Sequence, residues 1–225
     1  MLTTTFVSQD LFRGYYLGGR SVEPSLDVSS GAWDLGYWSN STVSNRVQGP
    51  SSTEVELYGS YVMQAVRDRM SVEPGFTLYA LPWGPGFYGI HRASVELSLG
   101  LNFSVGGVQF SPKVYDDLVL KVLTWELNAS YAVPLAAAHT EIDLTASYGA
   151  DVSTFVSIGA PPGPKTWSTY WLVQAAAPFR LGPRETFTIG WCYTGSAFGE
   201  PGAFALGGHP VSSRGLVTMS LAVKL

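Results

Sequence analysis

Hydrophobic and polar residues alternate along most of this chain with a period of two. Between residues 94 and 105 the odd positions carry Val, Leu or Phe, and the even positions carry Glu, Ser, Gly or Asn. The segments 54–63, 124–131, 141–148 and 217–225 show the same alternation, with the apolar residues at even positions in 141–148. This period is typical of β-strands with one apolar and one polar face. A helical period would place Glu96, Glu126 or Asp143 inside its own apolar stripe, so the pattern favours strands.

The connections between these strands alternate between long and short. Long breaks at 14–21, 42–52 and 82–91 are separated by short ones at 30–31, 65–70 and 106–107. Outer-membrane barrels have short periplasmic turns and longer outer loops, so this rhythm predicts one. The expected fold is all-β: a closed antiparallel up-and-down transmembrane β-barrel of about 12 strands, with ten or fourteen also open, forming one domain over 1–225. The predicted strands are 3–13, 22–29, 32–41, 53–64, 71–81, 92–105, 108–115, 118–132, 140–149, 165–178, 185–194 and 213–225.

A few positions fit this assignment badly. Pro24, Pro74 and Pro112 fall inside predicted strands, where a proline removes a ladder hydrogen bond. The run 118–123 has no polar face, so Lys121 is expected to extend toward the membrane interface. Aromatic residues near strand ends predict two interfacial girdles. They include Tyr15, Tyr16, Trp33, Tyr37, Trp38, Trp83, Phe87, Tyr88, Trp167, Tyr170, Trp171 and Trp191.

Composition supports a surface that faces lipid. Charged residues are 13% of the chain, about half of the roughly 25% usual in soluble domains. The net charge is −4 without a basic run, which argues against a nucleic-acid partner. The single cysteine, Cys192, excludes an intrachain disulfide and a cysteine-based zinc cluster. We expect its side chain to point inward as a small buried residue, and we expect no cofactor.

The chemistry also sets expectations for localisation and partners. Residues 1–5 lack the basic and apolar regions of a signal peptide, so an export signal is expected to have been removed or replaced by an initiator Met. The expected location is the bacterial outer membrane. The expected partners are outer-membrane lipids, the barrel assembly machinery during insertion, and small ions or solutes, with the protein itself a monomer.

Residues 6–61 carry a family resemblance. They include FVSQDLFRG (6–14), EPSLDVSSG (23–31), GYWSN (36–40) and EVELYGSY (54–61). This series resembles a family of proteobacterial outer-membrane barrel proteins, the Gcw_chp-type conserved hypothetical proteins. Similar stretches extend to about residue 150. The resemblance implies an outer-membrane barrel and no established activity, so it brings no functional residues. The chain departs from such barrels by ending on Leu225 instead of an aromatic residue.

Candidate catalytic residues are few. His209 precedes Ser212 and Ser213, which loosely resembles the His and Ser of outer-membrane phospholipases. In that family the two residues lie two positions apart on one strand face, whereas here they are three or four apart with Pro210 between them. His91 and His139 fall in connections, and Asp116-Asp117 is expected to serve a turn. We therefore expect neither an enzyme nor a metal site.

The acidic residues on the polar face are the main functional hint. By parity, the lumen receives the candidate binding residues Glu54, Glu56, Glu96, Glu126, Glu141 and Asp143. Two interpretations remain open. An acidic, water-filled lumen would favour cations, whereas the acids could instead pair with Arg and Lys from neighbouring strands in a plugged lumen.

The function expected from these features is a narrow pore or a structural barrel for small solutes or ions. One alternative is a lipid-modifying outer-membrane enzyme of phospholipase type. Another is a soluble lipocalin-like barrel or β-sandwich that binds a ligand. The last alternative requires the Val and Leu rows to pack inside the fold instead of facing outward.

Overall fold

A computed structural model describes residues 1–44, 53–66, 69–82, 92–153, 166–198, 209–210 and 213–225. Within these ranges the chain forms strands and one short 3-10 turn at Ala136–Ala138. No helix of the described part is long and apolar enough to span a membrane. The strands are β1 (Leu2–Val7), β2 (Asp10–Phe12), β3 (Tyr15–Gly18), β4 (Ser21–Ser30), β5 (Trp33–Thr42), β6 (Thr53–Tyr61), β7 (Met63–Val66), β8 (Met70–Ala80), β9 (Ala93–Val105), β10 (Val108–Asp117), β11 (Val122–Leu135), β12 (Thr140–Ser153), β13 (Thr166–Arg180), β14 (Glu185–Phe198), β15 (His209–Pro210) and β16 (Arg214–Val223).

Twelve strand positions close into one antiparallel ring. The order is β1-β4-β5-β6-β8-β9-β10-β11-β12-β13-β14-β16, and β16 pairs with β1 to complete it. The short strand β7 continues β6 after a break at Val62 and keeps the same register against β8, so the two occupy one position. The predicted closed up-and-down barrel of twelve strands is confirmed.

The apolar face of the sheet is the outer face. Leu57, Leu99 and Trp191 are 50%, 55% and 49% exposed, although each belongs to a row of large apolar side chains. The opposite face carries buried polar residues such as Glu96, Thr124 and Asp151. The apolar rows do not pack against a second sheet, so the β-sandwich alternative is wrong. An inside-out distribution of this kind suits a barrel that is surrounded by lipid.

The first predicted strand, 3–13, is wrong in its second half. β1 ends at Val7, and the following residues form a separate hairpin of β2 and β3 before β4 begins at Ser21. Half of the predicted loop at 14–21 is therefore the second strand of this hairpin, β3. The alternation of apolar and polar residues did not separate β1 from β2. The two residues between these strands carry no turn signal as strong as a glycine pair.

Each of the three strand prolines lies where the ladder to one neighbour is interrupted. The β4–β5 pairing stops at Val22 and resumes at Ser25, which leaves Pro24 in the gap, whereas Pro24 pairs with Thr4 on its other side. Pro74 and Pro112 lie in equivalent gaps, toward β6–β7 and β9 respectively. At such a gap the neighbouring strand makes no ladder hydrogen bond. The missing N–H of a proline therefore removes no hydrogen bond there.

The predicted strand 118–132 starts too early, and the predicted strand 108–115 ends too early. Residues 118–121 form a turn in which Lys121 has φ +55°, so this lysine does not extend from a spanning strand. Asp117 ends β10 at 4% exposure. Its carboxylate accepts hydrogen bonds from Ser94 Oγ (2.5 Å), Val119 N (3.0 Å) and Leu120 N (2.6 Å). The turn role predicted for this acidic pair is confirmed at Asp117.

The aromatic residues divide between the two faces. Trp33, Tyr37, Trp167 and Trp191 are exposed on the outer surface, as the girdle prediction requires. Tyr15 and Tyr170 are 2% and 4% exposed and lie inside the barrel, so assigning them to a girdle was wrong. Trp83, Phe87 and Tyr88 lie outside the described residues.

Candidate functional site

The hairpin of β2 and β3 belongs to the inside of the barrel. Its turn is Arg13-Gly14, and both residues have positive φ, +45° and +77°. A Cβ atom on Gly14 would overlap Ser196 Cβ and the Gly195 carbonyl of β14. Glycine is therefore required at this position for two reasons, the left-handed backbone and the close approach to the wall. The backbone of His209–Pro210 adds a third strand, β15, to this small sheet.

The hairpin crosses the whole width of the lumen. Counting from β1 around the ring, β10 is the sixth strand in either direction. The Arg13 side chain at the hairpin tip reaches β10 and its neighbour β9, although the hairpin begins at the end of β1. There Arg13 Nη1 and Nη2 donate to Glu96 Oε2 (3.0 Å) and Oε1 (3.2 Å). This bidentate ion pair holds the tip against the opposite wall.

Aromatic rings and further polar groups surround the ion pair. The Arg13 guanidinium carbon lies 4.8 Å from the ring centroids of both Phe12 and Tyr115. Tyr79 Oη donates to Glu96 Oε1 at 3.0 Å. Thr124 Oγ1 accepts a long hydrogen bond from Arg13 (3.5 Å) and donates to Asp151 Oδ1 (2.6 Å). The arginine is thus stacked and hydrogen-bonded on several sides, which fixes its orientation.

Three further hydrogen bonds attach both the base and the turn of the hairpin to other strands. Asn40 Nδ2 of β5 donates to Asp10 Oδ2 at 2.7 Å. Ser196 Oγ of β14 donates to the Gly14 carbonyl at 3.0 Å, and Gln9 Nε2 donates to the Gly215 carbonyl of β16 at 2.8 Å. Because these contacts reach both flanks of β1 as well as the far wall, the hairpin divides the lumen near the long-loop rim.

A cavity of about 370 Å³ remains beside the hairpin. Its lining includes Phe12, Glu23, Tyr170 and Gln174, together with Cys192, which is 5% exposed. The inward orientation predicted for Cys192 is confirmed. The hairpin and this cavity therefore share the described part of the lumen.

The acidic residues predicted for the lumen have different environments. Glu96 pairs with Arg13, and Glu126 accepts hydrogen bonds from Tyr170 Oη (2.7 Å) and Asn128 Nδ2 (2.7 Å). Glu54 and Glu56 are half-buried on β6, and neither forms an ion pair with a described residue. Glu141 is exposed near a short turn, and Asp143 lines a separate small cavity. The structure therefore places Glu54, Glu56, Glu96 and Glu126 near the hairpin. Glu141 and Asp143 lie away from it.

In the described part of the lumen, two cationic side chains form ion pairs and a third lies over an aromatic ring. Within the described residues the two ion pairs are Arg13–Glu96 and Lys113–Glu73, the second at 3.7 Å. Arg214 lies over the Tyr16 ring, with its guanidinium carbon 4.1 Å from the ring centroid. Asp10, Glu23, Glu54 and Glu56 add four carboxyl groups that form no ion pair with a described Lys or Arg. Carboxyl groups therefore outnumber ion-paired cations beside the hairpin.

Arg13, Asp10 and Tyr170 are the residues that sequence reasoning missed. Asp10 and Arg13 were assigned to the first strand and Tyr170 to a girdle. The alternation does weaken after Val7, and Arg13-Gly14 could have been read as a turn. Nothing local, however, indicates that a loop folds inward, because its partners lie on strands distant in sequence.

Among the residues that the structure describes, the histidines form no assembled catalytic site. His139 is exposed in a short turn, with φ +49°. For His209 only the backbone is described, and His91 and Ser212 lie outside the described residues. Within the described ranges, no group of three or more His, Cys, Asp or Glu side chains has the geometry to hold a metal ion.

The comparisons with known proteins identify the fold. The chain is similar to the NanC porin, with 12% identity, a TM-score of 0.62 and 100% of both chains covered. It is also similar to the KdgM porin, with 10% identity, a TM-score of 0.58, and 100% and 98% covered. A third structure is LpxR from Salmonella typhimurium, with 8% identity, a TM-score of 0.52, and 100% and 99% covered. No family model and no curated protein matches the chain. At these identities the likeness shows an outer-membrane barrel fold alone.

Proposed function

We propose that this protein is a narrow outer-membrane pore that prefers small cations and has no enzymatic activity. The observation that supports it most is the hairpin that crosses the lumen and pairs with the opposite wall through Arg13 and Glu96. A barrel divided in this way admits only small solutes. Because Arg13 and Lys113 are ion-paired and Arg214 lies over the Tyr16 ring, the carboxyl groups without an ion-pair partner set the sign of the field along the passage.

The resemblance of residues 6–61 to the Gcw_chp-type family is part of the same proposal. That family consists of outer-membrane barrels, which agrees with the porin-like neighbours. The proposed location is the bacterial outer membrane, with lipid as the partner of the outer face and a monomer as the functional unit.

Planar-bilayer recording tests the proposal. We expect a small single-channel conductance in the unmodified protein and a cation-selective reversal potential in a salt gradient. Replacement of residues 10–18 by a Gly/Ser linker of equal length should raise the conductance, because it removes the partition. Folding is checked by the heat-modifiable shift on a gel. If both proteins are folded and silent, the pore proposal is wrong and a structural barrel takes its place.

A further inference from the structure

One buried amide near the hairpin has an oxygen without a hydrogen-bond partner among the described residues. Asn40 of β5 is 4% exposed, and its Nδ2 donates to Asp10 Oδ2 of the hairpin at 2.7 Å. Its Oδ1 is buried and has no hydrogen-bond partner among the described residues. Leaving a buried acceptor unsatisfied costs about 1–3 kcal/mol. The position therefore suits a ligand that attracts oxygen lone pairs.

Carboxyl groups lie beside the Asn40 side chain, at Asp10 and at Glu54. Asn40 stands opposite Glu54 in the β5–β6 register, so the two side chains are direct neighbours on the lumenal face. Glu54 is in electrostatic contact with Glu56 and Asp10, and Glu23 with Asp10 and Glu56. We call these five residues the acidic pocket: Asp10, Glu23, Asn40, Glu54 and Glu56.

The four acids of the acidic pocket form no ion pair with a described residue, since both described ion pairs lie elsewhere. In their charged form, carboxyl groups that are partly removed from water and lie near one another repel each other, which is costly. A cation would relieve this repulsion and satisfy Asn40 Oδ1 at the same time. The unpartnered amide oxygen and the unpaired acids thus point independently to one kind of ligand.

The donor set selects the cation. All of the available groups are carboxylate or amide oxygens, which suit Ca²⁺, whereas zinc and other softer metals favour His and Cys. Three carboxylates do not converge closely enough in the described part to enclose a metal ion. Water must therefore complete the coordination, and the affinity should fall in the range of about 10⁻⁴–10⁻³ M seen for open extracellular sites.

We propose that the acidic pocket binds a partly hydrated Ca²⁺, with Asp10, Asn40 Oδ1 and Glu54 as its protein ligands. Asp10 belongs to the hairpin, and the other two ligands belong to the barrel wall. The ion would attach the base of the hairpin to β5 and β6, as Arg13 and Glu96 attach its tip to β9. This inference concerns binding and does not depend on conduction.

Terbium luminescence in detergent micelles tests the site directly, with Tb³⁺ as the probe for Ca²⁺. Trp38 is positioned to transfer excitation energy, because its side chain hydrogen-bonds to Glu23 of the acidic pocket. We expect saturable Tb³⁺ emission on tryptophan excitation, and its displacement by Ca²⁺. Asn40→Ala and Glu54→Gln should each weaken binding by about tenfold, which corresponds to ~1.4 kcal/mol.

Matched variants separate this site from other effects. Glu141→Gln removes an acid near a short turn and should leave Tb³⁺ binding unchanged. Trp38→Phe should reduce the emission while calorimetry still detects Ca²⁺ binding. The heat-modifiable gel shift confirms that each variant is folded. Emission that does not saturate, that Ca²⁺ does not displace, or that Asn40→Ala and Glu54→Gln leave unchanged would overturn the proposal.

The outcomes for the site and for the pore are distinguishable. A protein that binds Tb³⁺ at the acidic pocket but is silent in bilayers refutes the pore and retains the calcium site. A cation-selective channel without saturable Tb³⁺ binding retains the pore and refutes the site.

Discussion

Arg13 and Glu96 lie 83 positions apart in the sequence, yet they share two hydrogen bonds on the side of the barrel opposite β1. Their side chains are 12% and 5% exposed. The pair converts a connection between two neighbouring strands into a partition of the lumen. The shape of the described lumen therefore depends on this contact as well as on the number of strands.

Removing this contact should release the tip of the hairpin. A hydrogen bond to a charged group contributes about 1.5–3 kcal/mol, and Arg13→Ala deletes two of them along with the stacking on Tyr115. We expect higher and noisier single-channel conductance. Arg13→Lys keeps the charge but not the bidentate geometry. Its conductance should therefore lie between those of the unmodified protein and Arg13→Ala. Equal conductance in all three proteins would contradict the role of this ion pair in holding the hairpin across the lumen.

Cys192 provides a native reporter of access to the lumen. It is the single cysteine of the chain and lines the cavity beside the hairpin. A water-soluble thiol reagent should modify it slowly in the intact protein and faster after residues 10–18 are replaced, because the hairpin shields the cavity. Mass spectrometry over time gives the two rates. If the rates match, the hairpin does not cover Cys192.

The ion preference should depend on the acids beside the hairpin. The double variant Glu54→Gln with Glu56→Gln neutralises two half-buried carboxylates and should shift the reversal potential toward non-selective values. Glu141→Gln changes net charge by one at an exposed position near a short turn and should shift it much less. A larger effect from Glu141 would place the selective region at the wrong end of the barrel.

Asp117 should contribute to stability and not to transport. Its carboxylate accepts three hydrogen bonds in a turn where it is 4% exposed. Asp117→Ala leaves those donors unpaired and should cost about 1–3 kcal/mol of unfolding free energy. Asp116→Ala, next to it and exposed, is the control and should be near neutral. The measurement is the urea midpoint of the heat-modifiable band.

Gly149 makes room for a lumenal tyrosine. A Cβ atom there would overlap the Tyr170 ring, whose hydroxyl donates to Glu126. Gly149→Ala should displace the ring and destabilise the barrel, whereas Gly215→Ala meets its nearest neighbour atoms at 3.6 Å and should be tolerated. The same urea titration compares the two variants, and equal midpoints would refute this packing role.

The local alternation of apolar and polar residues was sufficient to predict the strands that form the barrel wall. The alternation in 94–105 predicted the two faces of β9, and the Gly106-Gly107 pair, with φ +59° and +85°, forms the expected tight turn. Errors arose where the local signal was ambiguous. The apolar residues 118–120 extend the pattern of a strand, yet the Asp117 carboxylate holds Val119 and Leu120 in a turn.

The sequence by itself determined an all-β barrel of about twelve strands, with an apolar outer face and a polar inner face. Both faces follow from strand parity, which depends only on which residues follow one another. Tertiary structure alone decided that residues 10–18 fold inward, that Arg13 meets Glu96, and that Asn40 meets Asp10. The physical reason is that these partners are brought together by closure of the ring. Until β16 pairs with β1, no pattern along the chain says which side chains will share the lumen.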